Sequence, residues 1–305
     1  MNEVILNSLT KTYNKGTVLA VDNISLSVSE GELFGLIGPD GAGKTSIFRM
    51  LTTLLLPDGG SATVAGFDIV KDYTCIRESV GYMPGKFSLY QDLTVEENLD
   101  FFATIFGSSI ENNYDMIRDI YVQIEPFKDR RAGKLSGGMK QKLALCCALI
   151  HKPGVLFLDE PTTGVDAVSR KEFWEMLKRL KQQGITILVS TPYMDEATLC
   201  DKIGLIQSGK ILSIETPPNI VKRFSGNLYA VKSHSMHQLL LDLRSYEHVQ
   251  SCFAFGEFLH FTLNDDRENH SSELLSYLET KNHRSVELKQ IQPTIEDCFI
   301  QLLKQ

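Results

Sequence analysis

The sequence predicts an α/β protein built on a parallel sheet, with a helical insert and a second, smaller α+β domain. Three observations carry that prediction. Short apolar runs at 33–37, 155–158 and 185–189 have the length and composition of strands buried on both faces. Helical patterns alternate with those runs, which implies parallel pairing. Past Pro217-Pro218 the order becomes strand, helix, strand, strand, helix, strand, the ferredoxin-like arrangement.

Taken in order, the chain opens with strands at 4–9 and 18–28, the second with alternating apolar positions, and then the strand at 33–37. A helix starts at Lys44 beyond a glycine-rich turn and runs to about residue 55, where Pro57-Asp58-Gly59-Gly60 stops it. One short strand ends at Gly66, and another at 80–83 leads into a loop at Pro84-Gly85. From Val95 to about Leu135 the pattern is helical, opened by Thr94 and Glu97 in capping-box spacing. This insert, about 89–137, reads as a separate α-subdomain. Helices at 139–150 and 169–183 and strands at 155–158, 185–189 and 203–207 complete a first domain over 1–218. The second domain, 219–305, is expected to hold strands at 228–231, 249–254, 258–263 and 285–288 and helices at 236–244, 271–280 and 294–303.

Of the 305 residues, 43% are hydrophobic and 23% charged, which is ordinary for a soluble globular chain with ample core. A net charge of -7 and a pI near 5.6 argue against a broad basic surface, so no nucleic-acid partner is expected. A local anion site built from backbone N–H groups needs no such surface. No apolar run approaches the roughly 20 residues of a spanning helix. The opening Met1-Asn2-Glu3 has no basic segment followed by an apolar core, and a cytoplasmic location is expected. Cys75, Cys146, Cys147, Cys200, Cys252 and Cys298 lack metal-ligand spacing and read as reduced, mostly core thiols. His234, His237, His248, His260, His270 and His283 do not cluster either, and most read as solvated surface groups.

Gly38-Pro39-Asp40-Gly41-Ala42-Gly43-Lys44-Thr45 fits G-x-x-x-x-G-K-[ST] between a strand and a helix. Glycines let the backbone wrap close to phosphate, and the helix N-terminus adds its positive dipole end. Lys44 is placed to reach the β- and γ-phosphates and Thr45 to ligate magnesium, with Ser46 next in the helix. The run 155–158 delivers Asp159 and Glu160 at the C-terminal edge of a strand, where parallel sheets bind ligands. Asp159 suits magnesium held through water, and Glu160 suits polarising the attacking water. Leu135-Ser136-Gly137-Gly138-Met139 begins another helix. Alone it is as well explained by an ordinary serine cap; its place ahead of the Asp159-Glu160 strand favours contact of Ser136 and the Gly138 N–H with a γ-phosphate.

Together these motifs resemble the ATP-binding-cassette (ABC) ATPases, over roughly residues 3–215. The resemblance implies a P-loop NTPase core, ATP and Mg2+ as ligands, and two cassettes pairing head to tail. Each ATP would lie between the phosphate loop of one and the Ser136, Gly137, Gly138 signature of the other. Tyr13 matches the aromatic that stacks on adenine, a strand-edge aromatic being its plainer reading. Asp166 matches the loop that communicates across the dimer. Gly81-Tyr82-Met83-Pro84 through Leu99, and Pro293 through Phe299, look like the branch serving exporters whose membrane permeases are separate chains, with 87–98 facing that partner. Such a subunit sits peripherally on the inner face of the membrane.

Two positions depart from the family. Gly85 stands where glutamine contacts magnesium and water, and Pro192 stands where histidine senses the γ-phosphate. Neither offers a side-chain hydrogen bond, so the chain's own site is expected to be degenerate unless water or a neighbour substitutes. A homodimer and a heterodimer both stay open, with the heterodimer favoured. A non-hydrolytic regulatory module and a non-transport ABC ATPase are the competing readings.

Overall fold

The computed structural model describes residues 2–264 and 270–304 and falls into two compact units, Met1–Asn219 and Ile220–Gln305. The first begins with strands β1 (Asn2–Tyr13), β2 (Val18–Ser29) and β3 (Leu33–Ile37), then helix α1 (Lys44–Leu51). Next come β4 (Gly59–Val64), β5 (Phe67–Asp68), α2 (Tyr73–Ser79) and β6 (Val80–Met83). The insert supplies α3 (Val95–Ile105) and α4 (Ile110–Tyr121), and α5 (Gly137–Leu149) leads out of it. The remainder is β7 (Val155–Asp159), α6 (Ala167–Gln182), β8 (Thr186–Thr191), β9 (Lys202–Gln207) and β10 (Lys210–Glu215).

Six strands form one sheet in the order β10-β9-β3-β8-β7-β6, with β10 antiparallel at the edge and the other five parallel. Every residue of β3, β7 and β8 is buried, as helices on both faces of a parallel sheet require. A separate antiparallel sheet, β2-β1-β4-β5, was not anticipated. Only a short 3-10 turn (Asn14–Gly16) separates its first two strands in the chain, so they pair as a hairpin rather than through a crossover.

Some boundaries also differ. Helix α1 stops at Leu51, and Thr53 in the left-handed region (φ 62°) turns the chain before Pro57 is reached. The insert is not one continuous helix. Gly107 (φ 64°) ends α3, Ser109 caps α4, and short 3-10 turns at Glu125–Phe127 and Ala132–Lys134 follow. The predicted capping box is present, Thr94 N–H donating to Glu97 at 2.7 Å and Glu97 N–H to Thr94 at 3.1 Å. No described helix is long and apolar enough to cross a membrane.

Helix α7 (Pro217–Lys222) spans the boundary between the units. The second unit then runs β11 (Leu228–Lys232), α8 (Met236–Ser245), β12 (Val249–Phe255), β13 (Phe258–Leu263), α9 (His270–Thr280), β14 (Glu287–Ile291) and α10 (Ile295–Leu302). Its antiparallel sheet has the order β12-β13-β11-β14, the ferredoxin-like topology. Two of the unit's six histidines are not solvated surface groups, His283 being buried and His260 half-buried. His283 is buried between Ser233 (3.2 Å from Nδ1) and Asp242 (2.9 Å from Nε2), and His260 bonds Asp297. Each meets a carboxylate that makes burial of a polar ring tolerable. The side chain of His270 lies outside the described residues. All cysteines are free and all but Cys75 are buried; burial pushes the thiols of Cys252 and Cys298 up to about 11.

Candidate active site

The C-terminal edge of the parallel sheet gathers most of the motif residues. Gly38 leaves β3 with its N–H bonded to the Thr191 carbonyl at the end of β8 (3.2 Å). A Cβ at residue 38 would stand 2.1 Å from the Ile206 carbonyl oxygen, so only glycine fits. Pro39, Asp40, Gly41 and Ala42 make the loop, with Asp40 and Gly41 exposed. Gly43 closes it at φ 105°, and α1 starts at the next residue. The buried Lys44 folds back over this loop. Its Nζ donates to the carbonyls of Gly38 (2.8 Å) and Pro39 (3.0 Å) and lies 3.1 Å from Glu160 Oε1.

Asp159 ends β7, and Glu160 follows in the left-handed region at φ 49°. For a non-glycine residue that costs ~1 kcal/mol or more. The Glu160 N–H is pinned by both the carbonyl (3.0 Å) and the hydroxyl (3.1 Å) of Ser190. Ser190 Oγ donates to Asp159 Oδ1 at 2.5 Å, and Thr45 Oγ1 donates to the same oxygen at 3.2 Å. Behind them, burial and the charge of Asp159 push the Tyr82 phenol up to about 12. A hydroxyl beside a carboxylate is a hard oxygen set suited to magnesium, and the loop N–H groups with Lys44 suit phosphate.

Gly85 and Pro192 both border this edge. A Cβ on Gly85 would meet the Asp159 carbonyl at 3.0 Å and Glu160 Cβ at 3.7 Å. Pro192 follows Thr191, whose hydroxyl donates to Glu196 Oε2 at 2.5 Å. Glu196 is buried and also receives Thr162 Oγ1 (2.7 Å) and Arg170 (3.1 Å). One carboxylate therefore ties together the end of β8, the loop after Glu160 and the start of α6.

Tyr13, at the end of β1, directs its hydroxyl to Ser46 Oγ (3.0 Å), beside the phosphate-loop lysine and threonine. Ser136, Gly137 and Gly138 stand apart: among the described residues no hydrogen bond or ion pair joins them to that loop. Ser136 caps α5 through Met139 N–H (3.3 Å), and Gly137 faces Gly164 in the loop before α6. Asp166 caps α6, and the donated N–H groups of Ser169 and Val168 hold its carboxyl below the usual range.

A family model described as ABC transporter matches residues 21–163. The Nod factor export ATP-binding protein I of Rhizobium sp. (strain N33) is 34% identical over 306 residues, covering 99% of this chain and 98% of its own. The chain belongs to the ABC transporter family of ATP-binding proteins. The probable multidrug ABC transporter ATP-binding protein YbhF of Escherichia coli (strain K12) is 42% identical over 247 residues, but those cover 79% of this cassette and only 43% of YbhF. Among solved structures, the ATP-binding cassette MJ0796, in a dimeric post-hydrolysis state with ADP and Pi, has a TM-score of 0.63 and 26% identity, covering 70% of this cassette and 98% of that chain.

Sequence reasoning missed Ser190, Thr191, Thr162, Arg170 and Glu196. One signal was available for the first two: a Ser-Thr pair closing an apolar strand next to Pro192 puts hydroxyls at the sheet edge where Asp159 also ends.

Proposed function

We propose that this cassette binds and hydrolyses MgATP to drive export through membrane-spanning subunits on separate chains. The observation that carries the reading is the convergence of Lys44, Thr45, Asp159 and Glu160 at one sheet edge. In this reading the loop from Gly38 to Gly43, with Lys44 and Ser46, holds the phosphates and Tyr13 stacks on adenine. Thr45 and Asp159 hold magnesium, which supplies charge neutralisation at the phosphates, and Glu160 polarises the attacking water. Ser136, Gly137 and Gly138 complete the ATP site of a second cassette, which is why their distance from this chain's own loop is no obstacle.

The lack of a hydrogen-bonding side chain at Gly85 and at Pro192 supports a heterodimer in which this cassette's own site is slow. A cavity of about 360 Å3, bordered by Leu54, Tyr82, Phe87, Phe102, Phe106 and His151, supports docking of a membrane subunit beside the Gly85 loop. Peripheral attachment to the inner face of the membrane follows from that docking, and export as the direction rests on the names of the relatives.

The test is ATP hydrolysis and transport in vesicles holding the membrane subunits and a partner cassette, with the parent and with Lys44→Ala. Loss of both in the variant is expected. A parent chain that binds no ATP would sink the reading. Nucleotide binding with full transport by a Lys44→Ala/Glu160→Gln form would favour the second reading, a regulatory module, to which Gly85 and Pro192 also point.

A further inference from the structure

The second unit contains a cavity that nucleotide chemistry does not use. On one face of its sheet, Val231, Cys252, Leu259 and Phe261 join Leu239, Leu243, Leu274 and Leu278 of α8 and α9 in a core. Alternate residues face the other way, and α10 lies over that side. It is tied down by His260 with Asp297 (2.8 Å), and by the Gln301 side chain, which bonds both the N–H and the carbonyl of Ser225 (3.0 Å each). The helix leaves a cavity of about 220 Å3, bordered by Gln250, Phe253, Phe255, His260, Thr262 and Lys304.

Phe253, Phe255 and His260 put aromatic rings into a wall that is otherwise mostly polar. The His260 ring lies flat on Phe255, centroids 4.1 Å apart at 7°, and Lys304 Nζ sits 4.7 Å from the Phe253 ring centre. The polar groups leave donors in excess. Asp297 Oδ1 accepts from His260, while Oδ2 accepts from the N–H and hydroxyl of Thr294 (2.8 and 2.6 Å), so both of its oxygens are engaged within the unit. The Ser251 and Thr262 hydroxyls share a bond of 2.7 Å, and Thr262 passes its proton toward Gln250 Oε1 (3.4 Å). What remains unspent is the amide N–H pair of Gln250 and the ammonium of Lys304, with which no carboxylate pairs among the described residues. The volume suits one ring and one headgroup. The aromatic side chains favour a flat ring, and surplus donors with a cation favour a negatively charged acceptor.

We propose that this pocket binds a small aromatic carboxylate, independently of the nucleotide site. Benzoate and uncharged benzamide are the probes, added to the full chain and followed by saturation-transfer NMR and calorimetry with and without saturating MgATP. Benzoate is expected to bind at least about tenfold more tightly than benzamide, and MgATP to displace neither. Lys304→Ala, at an exposed position, should weaken benzoate about tenfold and leave benzamide unchanged. Ser251→Phe, which fills the cavity, should remove both, with thermal melting confirming that the unit folds. The proposal is overturned by no benzoate binding at about 10 mM, by equal affinity for the two probes, by displacement with MgATP, or by Lys304→Ala binding benzoate as the parent does.

Discussion

Lys44 Nζ and Glu160 Oε1 stand 3.1 Å apart, so the lysine of the phosphate loop and the carboxylate that follows β7 hold each other directly. A phosphate arriving at Lys44 competes with Glu160. With Glu160 23% exposed, such a pair contributes ~1 kcal/mol at most. Glu160→Gln is therefore expected to tighten MgATP binding about fivefold, whereas Lys44→Ala loosens it at least about tenfold. Calorimetry on the two variants checks the opposite signs; a Glu160→Gln chain that binds no more tightly than the parent means the pair does not compete.

The second prediction concerns the two departures from the family pattern. A side chain at residue 85 starts 3.0 Å from the Asp159 carbonyl, so the loop must shift by a few tenths of an ångström to take Gly85→Gln. That variant alone is expected to gain little. Combined with Pro192→His it should raise ATP turnover about tenfold or more, because each aligned contact offers ~2–4 kcal/mol at the transition state. No rise in a phosphate-release assay would mean that Gly85 and Pro192 do not limit turnover.

Gly137→Ala separates the signature from the chain's own site. The added methyl would meet nothing nearer than the Gly164 carbonyl at 3.7 Å, so folding and MgATP affinity should stay as in the parent. Transport by the assembled pump should fall about tenfold or more, and further than it does with Glu160→Gln. Equal damage from the two changes, or full activity from a homodimer of this chain, would refute the asymmetric arrangement.

Glu196 offers a fourth test. It is 2% exposed and accepts from Thr162, Thr191 and Arg170. Glu196→Ala leaves Arg170 to Asp195 alone and strands two buried hydroxyls, and should cost about 1–3 kcal/mol in urea unfolding. Glu196→Gln keeps the shape, so its loss should be smaller and fall on turnover more than on MgATP affinity, since Thr162 and Thr191 adjoin Glu160 and Pro192. A Gln variant with parental turnover would reduce this carboxylate to a packing role.

The last prediction is a pH dependence in the second unit. Burial pushes the Asp242 carboxyl up, but hydrogen bonds from His283 and Gln238, with the charges of His283 and Lys281, hold it below its ordinary value of 3.8. A lowered folded value means stability that is complete above the unfolded value and lost as pH falls through the folded one. Asp242→Asn should therefore cost most near neutrality and progressively less below about pH 4. Unfolding curves from pH 7 to pH 3 (roughly the range of carboxylate titration) check it; a constant penalty across that range would count against an ionised, hydrogen-bonded Asp242.

What the sequence reveals is what is contiguous in it. Gly38 through Thr45 and Asp159-Glu160 are legible because strand, turn and helix follow one another along the chain, and each motif carries its own geometry. Ser190 and Glu196 are not, because their partners Asp159 and Thr162 lie on another segment, and the lateral register of β7 against β8 brings them together. The same limit hid the antiparallel sheet and the burial of His283. Periodicity tells which face of a strand is apolar, but not which neighbour covers it.

The position of β3 between β9 and β8 has a consequence for how the chain is made. The ribosome completes the glycine loop early, yet the carbonyls that wall it in, those of Thr191 and Ile206, emerge much later. Until then Gly38 has no sheet edge to rest on, and the pairing that creates one spans most of the first unit, the kind of long-range closure that comes late in folding. Nucleotide protection against proteolysis is thus a property of finished first units alone. Fragments ending between residues 45 and 190 carry the complete loop sequence without the strands that hold it, so ATP is expected to give them no protection from proteolysis.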